Sequence, residues 1–257
     1  MGDVRESSAN LTMEHAVVRA IEIMQERMEE PLTVTDLASA AMYSKFHFSR
    51  NFQRVTGISP GRYLSALRLQ AAKGLLVTTR MTVTEISHRV GYSSVGTFST
   101  RFTRCVGLAP TMFRRRGGFA HPVPPASPPR GAGRLPVVRG YVRSPELDED
   151  SMLFVGLYPT PTPEGHPVRC TMMDADGPFV LDQVPPGTWY VTGYRTVLGG
   201  PSVDARVVAL AMEGPLTVRQ GLPMMPLDLR LHPVSALDPP VLPAFPDARS
   251  MAFHGAA

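Results

Sequence analysis

The feature that most constrains this chain is that part of it is written twice. SKFHFSRNFQRVTGISP (44–60) and SVGTFSTRFTRCVGLAP (94–110) agree at seven of 17 positions, including two Phe, a Gly and a Pro. The stretches before them also match, TVTDLASAAMY (33–43) with TVTEISHRVGY (82–92), and the second copy has one extra residue in its turn. Each copy opens with a Thr three residues before an acid, Thr33 with Asp36 and Thr82 with Glu85, the capping-box spacing that starts a short helix. A tight turn and a longer helix follow. Two such helices make a helix-turn-helix, so the chain is expected to hold two, near 31–57 and 82–107. The stretch between them, ISPGRYLSALRLQAAKGLLVTT, reads as a long helix capped by Ser59 with Pro60 in its first turn. Its apolar face is expected to be Leu64, Leu67, Ala71 and Leu75. A helix of about 20 residues is about 30 Å long, close to the ~34 Å between successive major grooves on one side of DNA. A first helix precedes the repeat, with Val17, Ile21, Met24 and Met28 on one face.

Glycines punctuate the repeat. Gly57 and Gly107 stand where a left-handed cap ends each longer helix, and Gly91 sits in the second tight turn. The first copy has Met42 in place of Gly91, which predicts a different turn geometry there. Ala109 lacks the hydroxyl that Ser59 brings before its proline, which predicts a weaker cap on the last helix.

Charge and proline divide the chain in the same place. Between Pro31 and Arg116 there are 13 Lys or Arg against two acids, and from Phe119 onward 10 basic against 13 acidic residues. The overall formal charge of +4 hides this asymmetry: the repeat-bearing part is suited to a polyanion and the rest is not. Three prolines precede Phe119 and the other 23 of 26 follow it. HPVPPASPPRGAGRLP (121–136) has the composition of an extended linker. Beyond it come short alternating runs, MLFVGLY, PVRCTMM, GTWYVTGYR, ARVVALA and PLDLRLH, separated by Gly and Pro, as in an all-β domain of seven or eight strands. The expected architecture is therefore multidomain, α then β. Residues 1–13 are a disordered N-terminus, 14–118 an all-α tandem helix-turn-helix domain joined by a long helix, and 119–136 a Pro-rich linker. Residues 137–235 are an all-β sandwich, and 236–257 a poorly ordered tail.

Residues 14–116 resemble the DNA-binding domain of the AraC family of bacterial transcription regulators. LTVTDLA, YSKFHFSRNFQRVTGISPGRYL, RLQAAKGLL, VTEISHRVGYSS, TFSTRFTR and GLAPTMFRRR carry the resemblance. It implies sequence-specific binding to double-stranded DNA, with helices near 45–55 and 95–106 in two adjacent major grooves, and RNA polymerase as a further partner. More weakly, DADGPFVLDQVPPGTWYVTGYR resembles the G-x-F…V-P-x-G-x-Y pattern of prealbumin-like and carboxypeptidase-regulatory-like β-sandwiches. Relatives commonly place a sensing domain before the DNA-binding domain; here the order is reversed. The β part is expected to bind a small-molecule effector, dimerise or contact another protein.

The resemblance gives meaning to a Phe on the wrong side of a helix. At 100° per residue, Phe48, Phe52 and Val55 share one face of the first reading helix, and Phe46, Ser49, Arg50 and Gln53 share the opposite one. An apolar group facing a major groove can meet a thymine methyl, Arg50 can form paired bonds to guanine O6 and N7, and Ser49 and Gln53 can bond to bases or phosphates. The competing readings are a Phe46 packed on the first helix of its own unit and an Arg50 held by a phosphate or by water. On the second helix Gly96, Ser99, Thr100 and Thr103 replace those four, with Thr100 where many relatives carry Arg. The expected base contacts are Phe46, Ser49, Arg50, Gln53, Gly96, Thr97 and Thr100, read more strongly from the first helix. The expected backbone contacts are Lys45, Arg54, Arg62, Ser94, Thr103, Arg104, Arg114 and Arg115, with Arg101 and Arg116 adding charge.

Other functions leave less trace. Cys105 and Cys170 are too few and too far apart for a disulfide framework or a zinc site, and Cys105 on an apolar face reads as a buried thiol. His166 and Cys170, four residues apart on a strand-like run, do not by themselves form a nucleophilic pair. No cofactor, metal or catalytic group is expected, and the protein is read as a non-enzyme. Trp189 or Tyr190 enters the β core, but not both, since neighbours on a strand face opposite ways. MGDVRESSAN lacks an apolar stretch of signal length and no later run could span a bilayer, so a cytoplasmic protein with no membrane partner is expected. The alternatives are a DNA-binding protein with a catalytic or ligand-binding β domain, and an architectural DNA-binding protein.

Overall fold

The computed structural model describes residues 2–120, 135–145, 151–198, 205–222 and 224–246. Helices come first: α1 (Gly2–Glu26), α2 (Val34–Ala40), α3 (Lys45–Thr56), α4 (Pro60–Thr78), α5 (Val83–Arg89), α6 (Val95–Val106) and α7 (Pro110–Arg115). A sheet-rich part follows: β1 (Phe119–Ala120), β2 (Val138–Arg143), β3 (Ser151–Tyr158), β4 (Arg169–Met173), β5 (Gly177–Leu181), β6 (Gly187–Leu198), β7 (Ala205–Val218), β8 (Leu227–Arg230), β9 (His232–Pro233) and β10 (Phe245–Pro246). Two compact units result, one built on Met1–Ser99 with Ser235–Val241, the other on Thr100–Val234 with the segment from Leu242 on. The division falls inside α6 rather than at the Pro-rich stretch, whose residues 121–134 lie outside the described ones. Within the second unit Phe102 of α6 meets Phe113 of α7 edge to face at 5.5 Å, and Ala244 N–H donates to Val106 O (2.9 Å). Those ties join the end of α6 to the sheet-bearing part.

Both capping boxes form. Thr33 Oγ1 accepts from Asp36 N–H while Asp36 accepts from Thr33 N–H, and Thr82 and Glu85 do the same. The threonine hydrogen bonds hold both carboxyls below the usual carboxylate range, through the hydroxyl first for Asp36 and the backbone first for Glu85. The first core gathers Val17, Ile21 and Met24 of α1, Leu37 of α2, Phe48 and Phe52 of α3, and Tyr63 and Leu64 of α4. α1 starts at Gly2, so residues expected to be disordered continue the helix; no Pro or Gly interrupts the run from Asp3 to Glu26.

Several local expectations change. Met42 takes the same left-handed turn as Gly91, at φ 59° against 84°. The repeat therefore keeps one turn geometry, and the first copy carries the strain of a side chain in it. Ser59 makes no side-chain cap bond, nor can Ala109, so the two helices that start with Pro60 and Pro110 begin alike. On α4 the buried residues include Tyr63, Leu64, Ala66, Leu69, Ala72 and Leu76, whereas Leu67, Ala71 and Leu75 are half-buried. A single stripe underestimates a helix that is covered from more than one side.

The segment from 236 on, assigned to a poorly ordered tail, is ordered through Pro246, and the helical unit binds its first part. Tyr63 Oη donates to Ala236 O (2.6 Å) and Asp238 O (2.9 Å), and Lys73 Nζ donates to Val241 O (3.4 Å). Leu237 packs against the first core. Residues 247–257 of that tail lie outside the described ones.

In the second unit β5-β2-β8 form a three-stranded sheet and β4-β3-β6-β7-β9 a five-stranded antiparallel one. β2 pairs antiparallel with β5 and parallel with β8. Alternation buries Val138 and Val142 of β2, and Phe179 and Leu181 of β5, in one cluster with Leu153, Val155 and Leu157 of β3 and Val191 of β6. Two sheets sharing one core are compatible with the expected sandwich. β3 is buried on both faces, hence its unbroken apolar run. On its other face Phe154 stacks on Tyr194 (4.6 Å), which meets Phe245 at 5.3 Å. Trp189 packs against the shared core with Nε1 donating to Pro185 O (2.8 Å).

Candidate nucleic-acid interface

α3 begins at Ser44, whose Oγ accepts from His47 N–H (3.4 Å), and ends at Gly57 in the left-handed region. Phe48 and Phe52 are fully buried, and Thr56 Oγ1 donates to Phe52 O (2.9 Å). That anchoring leaves the opposite face to solvent. Phe46 is 72% exposed, and Lys45, Arg50, Gln53 and Arg54 are exposed beside it, with Ser49 half-buried. The packed reading of Phe46 is therefore excluded. The Arg50 guanidinium lies 5.6 Å from the Phe46 ring centroid, a cation–π contact worth ~0.5–1 kcal/mol at an exposed site. It restricts the arginine before any partner arrives.

α6 repeats the plan with different chemistry. Ser94 Oγ accepts from Thr97 N–H (3.3 Å). Phe98, Phe102, Cys105 and Val106 are buried, and Gly96, Thr97, Thr100, Thr103 and Arg104 are exposed, with Ser99 and Arg101 half-buried. The outward face is one of small and hydroxyl-bearing groups, ending in an arginine. Arg62 at the start of α4 and Arg115 in α7 are exposed, while Arg114 and Arg116 are half-buried. All the expected contact residues thus lie at surfaces of helices or their caps; those on α3 form one continuous face.

Two features escaped the sequence. Arg104 Nε pairs with Glu164 Oε2 (3.4 Å), and Glu164 lies in a Pro-rich loop where pattern gives no hint of a partner. Tyr63 and Lys73, on the connector helix, hold the returning 235–241 segment. Of the cysteines, Cys105 is a buried free thiol raised by burial, and burial pushes the Cys170 thiol up to about 11, away from the range of a nucleophilic thiolate. Among the described residues no three His, Cys, Asp or Glu gather where a metal could bind, and no helix is long and apolar enough to cross a membrane.

Residues 37–116 match a family model described as a helix-turn-helix domain. An uncharacterized HTH-type transcriptional regulator of Bacillus subtilis, YobQ, is 32% identical over 95 residues, 37% of this chain and 39% of that protein. The transposon Tn10 TetD protein of Escherichia coli is 32% identical over 92 residues, 36% of this chain and 67% of that protein. A transcriptional regulator of Chromobacterium violaceum with an AraC-type DNA-binding domain is similar in structure, at 28% identity and a TM-score of 0.37, over 40% of this chain and 93% of that one. This chain thus spans about two-fifths of the length of the Bacillus relative, and these matches cover less than half of this chain.

Proposed function

Because the chain belongs to the AraC family of transcription regulators, we propose that it is a sequence-specific DNA-binding regulator that reads two adjacent major grooves with α3 and α6. The observation that carries this reading is the outward face of α3, where Phe46 stands exposed with Arg50 stacked against it while the opposite face is locked in the core. On the outward face of a reading helix, a thymine methyl beside a guanine fits the Phe46–Arg50 pair. Ser49 and Gln53 flank them as further base contacts. On α6, Gly96 admits close approach, and Thr97 and Thr100 offer hydroxyls and methyls. Lys45, Arg54, Arg62, Ser94, Thr103, Arg104, Arg114 and Arg115 supply the backbone contacts. The β part, proposed to be a sandwich, is the effector, dimerisation or partner module. RNA polymerase is the second macromolecular partner, the cytoplasm the site of action, and the protein has no catalytic role.

The test begins with selection of bound duplexes from a random pool by the full-length protein. On the selected site, Arg50→Ala should cost about 1–3 kcal/mol and relax one base position. Thr100→Ala removes no bidentate fork and should cost less. Equal losses at the two positions overturn the unequal reading. A pool that returns no sequence preference at matched salt supports the architectural alternative instead.

A further inference from the structure

The loop between β3 and β4 is built onto the end of the second reading helix, through three consecutive residues. Glu164 pairs with Arg104. Gly165 N–H donates to Cys105 O (2.8 Å), one of the carbonyls that a helix end leaves without an internal partner. The His166 ring lies over Gly107, 3.1 Å from where a Cβ would stand. Gly165 itself is left-handed at φ 68°, and a Cβ on it would come to 3.0 Å from Arg104 O. The fit therefore depends on glycine on both sides, Gly107 under the ring and Gly165 against the helix.

We propose that Glu164 holds Arg104 in the place of a DNA phosphate, so that the β3–β4 loop competes with DNA at the end of α6. The inference rests on the DNA reading above and adds to it a device that lowers affinity. A carboxylate and a phosphate oxygen are alternative acceptors for one guanidinium. Arg104 keeps 62% of its side chain exposed while Glu164 keeps 22%, so the arginine can turn outward and the acid stays with the loop. When DNA claims Arg104, the Glu164 carboxylate stays close to the polyanion, which adds repulsion to the lost pair. Linkage makes the effect reciprocal: whatever draws the loop away from α6 tightens DNA binding, and bound DNA loosens the loop.

Binding of the full-length protein to its selected duplex, titrated across salt concentrations, tests this. Glu164→Gln should tighten binding about 3–10-fold, because Arg104 no longer has to leave a carboxylate to reach a phosphate. Gly165→Ala, which pushes the loop off the helix without touching a charge, should tighten binding in the same direction. Both gains should vanish in an Arg104→Ala background. Unchanged affinity in both variants overturns the competition and leaves the DNA reading standing. An equal gain with and without Arg104 overturns it as well, since Glu164 would then act only through its general field. A wild-type protein that selects no duplex overturns the DNA reading and the inference together.

Discussion

The repeat places a methionine and a glycine in one turn conformation, and the two should respond to substitution in opposite ways. At Gly91 a Cβ would collide with the Met28 carbonyl oxygen and come to 2.8 and 2.9 Å from the Arg68 guanidinium. That guanidinium is a clamp: Nε donates to Met28 O (2.8 Å), Nη2 to Glu30 O (2.6 Å), and the group lies 6.0 Å from the Tyr92 ring centroid. Gly91→Ala therefore adds left-handed strain of about 1–2 kcal/mol to the loss of at least one charge-assisted bond, about 1.5–3 kcal/mol. The smaller unfolded-state entropy of Ala returns about 0.4–1 kcal/mol, for a net loss of about 2–4 kcal/mol. At Met42 the side chain is 91% exposed, so its removal sacrifices almost no burial. Met42→Gly relieves the strain and gives back part of it as chain entropy, for a net gain of about 0.5–1 kcal/mol. Urea unfolding of the full-length protein, followed by helical circular dichroism, measures both. If Gly91→Ala costs no more than the strain alone, the assignment of Gly91 to the Arg68 clamp is refuted; if Met42→Gly destabilises, the strain assigned to Met42 is.

The strap from 235 to 241 gives a second prediction. Burial, with Asp238 nearby, raises the Tyr63 phenol far above its ordinary value, so it remains a donor; Tyr63→Phe should cost about 1 kcal/mol in the full chain and close to nothing in a chain ending at Val234, as unfolding midpoints would show. The capping boxes give a third. Asp36 and Glu85 have folded pKa values below their unfolded ones, so their stabilisation is complete above the ordinary carboxylate range, about pH 4, and is lost as pH falls through the depressed values. An Asp36→Asn/Glu85→Gln variant should unfold at lower urea than wild type at pH 7 and converge with it at the acid end; a gap that does not change with pH refutes the account.

What was legible in the sequence was what local chemistry decides. The Thr–Asp and Thr–Glu spacings, the Phe48/Phe52 face and the caps at Gly57 and Gly107 need no distant partner to take effect, and all of them form. The errors arose where a distant segment intervenes. Periodicity gives α4 one stripe, but a connector covered on several sides buries Leu69 and Leu76 instead of Leu67 and Leu75. Composition makes the segment from 236 on a tail, because nothing in it announces that Tyr63 and Lys73 will donate to the carbonyls of Ala236, Asp238 and Val241. Met42 misled for another reason. Conformational rules rank residues by cost, and a repeat inherits its backbone even where one copy has lost the residue that fits it most cheaply.

The two reading helices differ in a way that bears on how regulation is divided in the proposed mechanism. α3 lies wholly in the first unit and holds the aromatic–arginine pair, the groups best able to tell one base from another. α6 presents mainly short hydroxyl side chains, and its last turn is bonded to the β3–β4 loop and, through Val106 O, to the strand-forming segment at Ala244. On that mechanism a change in the sheets reaches Arg104, a proposed backbone contact, before it reaches the proposed base-reading pair of Phe46 and Arg50. Backbone contacts set how tightly the protein binds without setting where. On that proposal, an effector module placed after the DNA-binding domain raises or lowers affinity through Arg104 and Glu164, while Arg50 and Phe46 continue to choose the same site.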